Sequence, residues 1–308
     1  MNSEVKNTLR DISRKYDSAI FFDEPLRRYN TVGIGGDVEV LYMPGSMDEF
    51  SEARKILSSS GTKMVVLGSG SNLLITDDRL DAVAVKLNGG VFSEIKIKRA
   101  HVAAGASVRL EKLIKSVCAS GLSGMEGLVG IPATVGGALK NNASYMTSIS
   151  ECLEKVLVVD KDGEKRWMHK KEIDFGYRYS SFSEGDVILR AVFFLKTADP
   201  YDLDKKTKLY FQDKKDKQPI DKKTLGCVFK NPESPSGLSA SEMIDKTGLK
   251  GRCRGGAIVS EKHANFIINF NKASSEDYLG LMEEIKAGVK DKFDVDLTPE
   301  IEVLHGGD

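Results

Sequence analysis

Three stretches of this 308-residue chain carry residues suited to chemistry: one thiol and two glycine-rich segments. The thiol is Cys227, which lies between Gly226 and the apolar pair Val228 and Phe229 in "GCVFKNP". A thiol has a pKa of about 8.5 and is mostly protonated at neutral pH, so it can donate a proton to a carbanion. Cysteine is also a common small apolar filler of protein cores. The residues alone leave both interpretations of Cys227 open.

The two glycine-rich segments are candidates for holding a phosphate-bearing cofactor. "LGSGSNLLI" (67–75) places glycines and serines directly after an apolar run, so loop amides and hydroxyls can converge on a phosphate. "GLVGIPATVGGALKNNAS" (127–144) has glycines that let the main chain approach a flat cofactor, and its composition predicts no ordinary helix or strand. Neither segment is a dinucleotide fingerprint or a Walker loop. A plain turn and a surface loop remain the alternatives.

The composition limits the classes of partner. Lysine plus arginine equals aspartate plus glutamate at 45 each, so no overall field favours nucleic acid or an anionic membrane. The cysteines lie far apart without metal-ligand spacing, which is typical of free thiols in a reducing compartment. The N-terminus lacks the apolar core of a signal peptide, and no segment reaches the ~18 apolar residues of a membrane span. We therefore expect a cytoplasmic protein that binds neither nucleic acid nor membrane.

Several elements must position these segments. Residues 30–87 alternate strand and helix signals, with a helix starting at Ser46 and a capping box to Glu49. A second helix is predicted from Ser107 to about Ala119, and a hairpin turns at Asp162 and Gly163. A polar, lysine-rich stretch near 198–223 predicts a domain boundary. Beyond it, the patterns predict helices over 239–248 and 274–293 and strands over 264–270 and 299–304.

Seven segments in one order, from about Asn30 to Val303, resemble the UDP-N-acetylenolpyruvoylglucosamine reductase family. They are "NTVGIGG" (30–36), "GSGSNLLI" (68–75), "GLVGIPATVGGALKNNAS" (127–144), "FGYRYSSF" (175–182), "GCVFKNP" (226–232), "GLKGRCRGGAIVSEKHANFIIN" (248–269) and "PEIEVL" (299–304). The resemblance implies an α+β protein with an FAD-binding unit of the PCMH or vanillyl-alcohol-oxidase type, made of two subdomains and followed by a smaller α/β substrate-binding domain. It places the FAD-binding domain at 1–201 and the substrate-binding domain at 202–298, with a strand at 299–308 returning to the first domain.

The same resemblance implies FAD as the cofactor. It places the pyrophosphate on Gly68, Ser69, Gly70, Ser71 and Asn72. The rest of the cofactor is lined by Gly130, Ile131, Pro132, Thr134, Gly136 and Gly137. Neither segment contains a histidine or cysteine to which a flavin could be joined, so the FAD is expected to be non-covalent.

The family uses NADPH and FAD to reduce the enolpyruvyl group of a UDP-sugar, a step of peptidoglycan precursor synthesis that serves cell-wall biogenesis, cell shape and cell division. Hydride addition leaves negative charge beside a carboxylate, so the site needs a stabilising cation or acid and a proton donor. By motif match, Arg178 and Glu300 stabilise the charge and Cys227 donates the proton, where the family usually has serine. For the UDP-sugar diphosphate the resemblance indicates a further set: Tyr177, Lys217 and Asn231.

Besides Cys227, the chain departs from the family pattern in its tail "EVLHGGD" (302–308), which differs from the usual apolar-glycine ending, and in two inner segments. "NASYMTS" (142–148) lacks two usual glycines, and "KKDKQP" (214–219) has lysines where an arginine pair is usual. The chain is expected to be a monomer of the shorter subtype. Two alternatives stay open: another flavin oxidase or dehydrogenase acting on a sugar or hydroxy acid, and an inactive UDP-sugar-binding relative.

Overall fold

The chain forms two compact units in a computed structural model that describes residues 3–233 and 237–306. Unit 1 contains the chain up to Glu24 together with Glu39–Ser69 and Asp81–Asp213. Unit 2 contains Pro25–Val38, Gly70–Leu80 and the chain from Lys214 onward. Each unit is therefore built from segments far apart in the sequence.

The helices are α1 Ser3–Tyr16, α2 Met47–Ser59, α3 Leu110–Ala119, α4 Val135–Lys140, α5 Pro200–Lys217, α6 Ala240–Lys246 and α7 Ser275–Phe293. The strands are β1 Ala19–Pro25, β2 Asp37–Met43, β3 Met64–Val66, β4 Leu73–Ile75, β5 Leu80–Val85, β6 Ile95–Lys98, β7 His101–Gly105, β8 Leu122–Ser123, β9 Leu153–Val159, β10 Lys165–His169, β11 Phe175–Gly176, β12 Tyr179–Ser180, β13 Val187–Phe194, β14 Lys196–Thr197, β15 Thr224–Cys227, β16 Cys253–Arg254, β17 Ala257–Val259, β18 Phe266–Asn269 and β19 Glu302–Leu304.

Unit 1 is organised around an antiparallel sheet of order β10-β9-β13-β7-β6. A smaller sheet has the order β1-β2-β5-β3, with β3 and β5 parallel. Alternate side chains of β9 and β13, such as Val156, Val158 and Phe193, are fully buried because period-2 alternation points them to one face. The predicted hairpin is confirmed: β9 and β10 pair antiparallel, and Gly163 has a φ of +76° in the connecting turn.

The predicted helix starts are confirmed with one shift. Ser46 precedes α2, and its hydroxyl accepts a hydrogen bond from the Glu49 amide at 3.2 Å. The helix predicted from Ser107 begins instead at Leu110, because the Ser107 hydroxyl donates to the Phe92 carbonyl at 2.8 Å. The prediction failed there since it could not include a partner outside the local sequence.

Unit 2 contains an antiparallel sheet of order β15-β18-β17-β16. Helix α7 packs on this sheet through a buried row that includes Tyr278, Met282, Ile285 and Val289. A separate parallel pair joins β4 to β19, so that Glu302 lies opposite Leu73. The strand predicted over 299–304 is therefore present at Glu302–Leu304, and residues 307 and 308 lie outside the described part of the chain.

The lysine-rich stretch predicted to be a domain boundary is largely the 18-residue helix α5. Its residues up to Asp213 belong to unit 1, whereas those from Lys214 belong to unit 2. The change between units therefore falls inside a helix, and the sequence-based division at residues 201 and 202 does not follow the compact units. The assignment of cofactor binding to 1–201 and substrate binding to 202–298 stays a prediction.

Helix α5 is tied to unit 1 by a buried carboxylate. Glu126 accepts hydrogen bonds from Lys206 Nζ at 2.8 Å, the Gly124 amide at 2.7 Å and the Ser123 hydroxyl at 2.9 Å. Burial raises the pKa of Glu126, but the bonds from Lys206, Gly124 and Ser123 together outweigh that effect and lower it to about 2. The charged form of Glu126 therefore stabilises the fold.

Replacing Glu126 with glutamine is expected to destabilise the protein by about 3 kcal/mol at pH 7, because the carboxyl pKa falls from about 4.5 in the unfolded chain to about 2 in the fold. Since the folded pKa is the lower one, this contribution is present above pH 4.5 and is lost as the pH falls toward 2. Urea denaturation at pH 7, 4 and 3 should show that the difference in free energy of unfolding between the wild type and Glu126→Gln becomes smaller as the pH falls. The exposed Glu283→Gln should change stability little at any of these pH values. A gap for Glu126→Gln that stays constant down to pH 3 would contradict the assignment.

Candidate active site

The segments that carry Cys227 and Glu300 meet in unit 2. Cys227 ends β15 opposite Phe266 of β18, and the next residue, Val228, accepts a hydrogen bond from the Glu300 amide at 2.8 Å. An isolated antiparallel bridge follows between Phe229 and Pro299. Both the thiol residue and Glu300 are half-buried. The structure therefore brings together two of the three residues predicted to be catalytic.

Asn265 holds the thiol segment in place. Its side-chain oxygen accepts from the Phe229 amide at 2.9 Å, and its side-chain nitrogen donates to the Phe229 carbonyl at 2.8 Å. The Asn265 carbonyl also accepts from the Val228 amide at 2.9 Å, and the residue is only 3% exposed. Sequence reasoning missed this clamp. The available signal was an amide side chain inside the apolar strand "ANFIIN", which requires buried partners.

The backbone next to Cys227 has a special conformation. Gly226 has a φ of +83°, and nothing lies within 4 Å of a Cβ added there, so glycine is required by the backbone angle and not by crowding. The pairing of β15 with β18 is irregular between Thr224 and Cys227. Such irregularities re-aim a side chain within a sheet. The positive φ at position 226 explains why a glycine precedes Cys227.

Asn72 joins the same group of residues. Its side-chain nitrogen donates to the Glu300 carbonyl at 3.2 Å, and its own carbonyl accepts from the Glu302 amide at 2.9 Å. Asn72, predicted to bind the cofactor pyrophosphate, thus has a structural role in positioning Glu300. The contact of Asn72 with the pyrophosphate stays a prediction.

The loop before Asn72 presents main-chain donors. Within the described residues, the amides of Ser69, Gly70 and Ser71 donate to no acceptor. Consecutive free amides in a tight turn form a concave site for an anion. Gly68 precedes them, and its carbonyl accepts from Lys86 Nζ at 2.7 Å. Burial lowers the pKa of Lys86, and the charge of Arg109 lowers it further.

The second glycine-rich segment contains a short helix, which the composition had argued against. Thr134 caps the six-residue helix α4, its hydroxyl accepting from the Gly137 amide at 3.3 Å. The Gly136 amide donates to the Ala106 carbonyl at 2.9 Å, and a Cβ on Gly136 would lie 3.2 Å from that of Ala106. The prediction was wrong because glycine is tolerated in a helix where a neighbouring chain packs closely.

The two glycine-rich segments approach each other in unit 1. A Cβ added to Gly68 would lie 2.9 Å from Thr134 Oγ1, so a side chain at position 68 would collide with the second segment. Residues Gly130, Ile131, Pro132, Gly136 and Gly137 are exposed or half-buried and leave main chain accessible there. Gly68 of the first segment therefore lies against Thr134 of the second.

Arg178 occupies the turn of a hairpin in unit 1. β11 and β12 pair across the two residues Tyr177 and Arg178, and Arg178 has a φ of +52°, which is uncommon for a residue other than glycine. Its guanidinium donates to the Ser144 hydroxyl at 2.7 Å and lies 5.2 Å from the centroid of the Tyr177 ring. Asn142 donates to the Gly176 carbonyl at 2.9 Å and fixes the same turn. Because Arg178 belongs to the other unit, its meeting with Cys227 and Glu300 stays a prediction.

The altered segment "NASYMTS" supplies contacts of its own. Ser144 binds Arg178 as described, and the Tyr145 hydroxyl donates to Asp213 of α5 at 2.6 Å. Burial raises the pKa of Tyr145 to about 12, with the hydrogen bond to Asp213 adding to the effect. Sequence reasoning marked this segment as unusual but missed both partners, because Asp213 is distant in sequence.

The three predicted substrate-binding residues have different surroundings. Tyr177 is exposed in the hairpin turn of unit 1, and Lys217 is the exposed last residue of α5. The Asn231 side-chain oxygen accepts from the Ala240 amide at 3.1 Å at the start of α6. Lys214, at 6% exposure, is the buried lysine of this region and was not singled out from the sequence. The substrate roles of Tyr177, Lys217 and Asn231 stay predictions.

Residues 3–233 and 237–306 contain neither a metal-binding cluster nor a membrane-spanning helix. Their histidine, cysteine and acidic side chains form no cluster that could hold a metal ion. None of the helices seen in these residues has the length and apolar character of a membrane span.

Comparison with known proteins connects this geometry to a family. Residues 38–169 match an FAD-binding domain, and residues 218–304 match the C-terminal domain of UDP-N-acetylenolpyruvoylglucosamine reductase. UDP-N-acetylenolpyruvoylglucosamine reductase 1 of Bacillus cereus is 35% identical over 288 residues, covering 92% of this chain and 94% of the relative. The chain belongs to the UDP-N-acetylenolpyruvoylglucosamine reductase family.

Two further members of the reductase family are similar to this chain over nearly its whole length. The UDP-N-acetylenolpyruvoylglucosamine reductase of Bacillus subtilis is 32% identical over 305 residues, covering 98% of this chain and 99% of the relative. The crystal structure of the reductase from Thermus caldophilus matches with a TM-score of 0.80 at 33% identity, covering 93% of this chain and 98% of that one. The predicted α+β fold, with an FAD-binding part followed by a family-specific C-terminal domain, is confirmed.

Family membership makes the chain an FAD-dependent oxidoreductase. The FAD-binding match includes both glycine-rich segments. The residues present fit this cofactor, because Ser69, Gly70 and Ser71 offer unpaired amides to a pyrophosphate. The cofactor thus accounts for loop amides that have no acceptor in the described part of the chain.

Proposed function

We propose that this chain reduces UDP-N-acetylglucosamine enolpyruvate to UDP-N-acetylmuramate with NADPH, as a step of peptidoglycan precursor synthesis. The observation that supports this most is the hydrogen bond between the Glu300 amide and the Val228 carbonyl. It joins the main chain of the segment that carries Glu300 to the segment that carries Cys227, in a chain that belongs to the reductase family.

The site residues act on the charge that the reduction creates. When bound, FAD supplies the carrier that takes a hydride from NADPH and gives it to the substrate. Hydride addition to the terminal vinyl carbon leaves an electron pair on the neighbouring carbon, which is conjugated with the substrate carboxylate. Glu300, in its protonated form, and the Arg178 guanidinium stabilise that charge, and Cys227 gives its thiol proton to the carbon. The resulting thiolate regains a proton from solvent.

Two features of the structure support the thiol as the donor. Cys227 is half-buried, and the segment that follows it is held on both sides by Asn265 and Glu300. A donor must be fixed to within a few tenths of an ångström to act in a transition state. An alternative role as a packing residue would need none of these restraints.

Anaerobic mixing with NADPH tests the function against its alternatives. We expect rapid loss of the flavin absorbance, followed by its return only when UDP-N-acetylglucosamine enolpyruvate is added. Loss of absorbance on adding a sugar or hydroxy acid without NADPH would instead identify another flavin oxidase or dehydrogenase. Tight binding of the UDP-sugar with no return of absorbance would identify an inactive binding protein.

We further propose that the enzyme works as a cytoplasmic monomer and needs neither nucleic acid nor membrane. Equal numbers of acidic and basic residues support the absence of a nucleic-acid partner. Its product would serve the cell wall, and thereby cell shape and cell division. Sedimentation of the purified holoprotein should give a mass near 33.8 kDa. A mass of twice that value would exclude the monomer.

A further inference from the structure

A cleft in unit 2 lies apart from the candidate active site. It has a volume of about 570 Å³, which is within the range of small-molecule sites. Its lining combines three cationic side chains, Arg27, Lys223 and Lys272, with the aromatic ring of Phe270 and the main chain of the "GIG" segment at 33–35.

The cleft and the thiol lie at opposite ends of the same strands. Lys223 directly precedes β15, whereas Cys227 ends it, a separation of about 13 Å along an extended chain. On the partner strand β18, Phe266 lies opposite Cys227, and Asn269 at the far end borders the cleft. The cleft is therefore not part of the site that carries the proposed reduction.

The three cations have no internal partner among the described residues. Within the described residues, Arg27, Lys223 and Lys272 have no ion pair and no side-chain hydrogen bond. All three are exposed, and one acidic residue, Asp77, shares the lining. Asp77 already accepts two hydrogen bonds inside unit 2: one of its carboxylate oxygens accepts from the Ser275 amide at 2.6 Å and from the Ser275 hydroxyl at 3.0 Å. The walls therefore carry an excess of positive charge that an anion would neutralise.

The wall of the cleft is held rigidly by a buried amide. The Asn269 side chain donates to the Val32 carbonyl at 2.9 Å and accepts from the Ala273 amide at 2.8 Å. It thereby fixes the turn that carries Phe270 and Lys272 against the "NTVGIGG" segment. Lys272 has a φ of +52°, a conformation that a lysine keeps only when its surroundings impose it. A preformed wall reduces the entropy lost on binding a ligand.

We propose that this cleft binds a nucleoside polyphosphate, with the phosphates on Arg27, Lys223 and Lys272 and the base on Phe270. The number of free cations matches a ligand with two or more phosphate groups, which a lone monovalent anion would not need. Phe270 is 53% exposed, although its ring is apolar, and an exposed ring beside a cationic groove is a stacking surface for a base. The proposal concerns binding and does not depend on the proposed reduction.

Calorimetric titration of the holoprotein with cytidine diphosphate and with inorganic pyrophosphate tests this. We expect both probes to bind, cytidine diphosphate at least fivefold more tightly, and both affinities to fall as salt is added. The triple variant Arg27→Ala, Lys223→Ala, Lys272→Ala should weaken both by tenfold or more. Phe270→Ala should lower the affinity for cytidine diphosphate to the affinity for pyrophosphate.

A matched control removes the same charge elsewhere. Lys98, Lys115 and Lys171 are exposed, and their joint replacement by alanine should leave both affinities unchanged. Retained flavin content shows that each variant is folded. No binding by the wild type, or binding that survives the cleft triple variant, overturns the proposal. Binding lost in Lys217→Ala but kept in the triple variant places the probe at the substrate site and also overturns it. Equal affinities for the two probes overturn the assignment of a nucleoside.

Discussion

Replacing Cys227 with alanine is expected to slow the reaction with the enolpyruvyl substrate by on the order of a hundredfold or more. The reaction with NADPH should keep its rate, because no proton donor to the substrate is needed in that half. Stopped-flow absorbance of the flavin separates the two half-reactions, with NADPH mixed first and the UDP-sugar second. A loss confined to the second half would assign Cys227 to proton donation.

The serine variant is the matched control for this experiment. Cys227→Ser keeps an ionisable hydrogen on a side chain of similar size, and serine is the usual residue of the family at this place, so substantial activity should remain. The same variant should also resist inactivation by peroxide, because a thiol is oxidised and an alcohol is not. Normal turnover by Cys227→Ala would show that the thiol is only a packing residue.

Replacing Gly70 with alanine is expected to lower the free energy of unfolding by about 2–5 kcal/mol and to abolish FAD binding. Gly70 has a φ of +61°, and a Cβ there would lie 2.4 Å from the Tyr29 carbonyl oxygen and 2.5 Å from the Asn30 Cα. Both are main-chain atoms and cannot rotate away. Moving them would displace the turn that presents the free amides of Ser69 and Ser71. Urea denaturation and the flavin content of the purified protein measure the two effects.

Gly89→Ala is a control that distinguishes the effect of steric crowding in Gly70→Ala from the effect of backbone strain. Gly89 has the same φ of +61°, but nothing lies within 4 Å of a Cβ added to it. Its ψ of −169° places it in a backbone region that is essentially restricted to glycine, so Gly89→Ala should cost backbone strain alone, about 1–3 kcal/mol, and should retain FAD. Similar losses of stability in the two variants, or normal flavin content in Gly70→Ala, would show that the close approach at Gly70 has no importance for the loop.

The family and the cofactor could be predicted from the sequence because their motifs are local and follow one order. "GCVFKNP" and "GSGSNLLI" each combine residues that determine a turn and its chemistry, and neither depends on a distant partner to be recognised. The helices that begin at Met47 and Ser275 were predictable for a similar reason, since Ser46 and Ser274 cap them within four residues.

Helix α5 shows why other elements were missed. Leu203 is its one buried apolar residue, whereas Tyr201 and Leu209 are 75% and 66% exposed, so no apolar stripe in the sequence marked it as a helix. Its attachment depends on Lys206 meeting Glu126, two residues with no relation in the local sequence. The Asn265 clamp and the cationic cleft were missed likewise, because each joins segments that come together only in the fold.

The pairing of β4 with β19 has a consequence for synthesis on the ribosome. Leu73 is made well before Glu302, and at roughly 5–20 residues per second the interval is about 10–45 s. During that time Asn72 has neither of its hydrogen-bond partners, the Glu300 carbonyl and the Glu302 amide. Unit 1 can condense while the nascent chain is still attached, whereas Pro25–Val38 and Gly70–Leu80 must wait for the rest of unit 2, from Lys214 onward. Translation that stops before Glu300 would release a chain in which the loop that carries Asn72 has not been joined to Glu300.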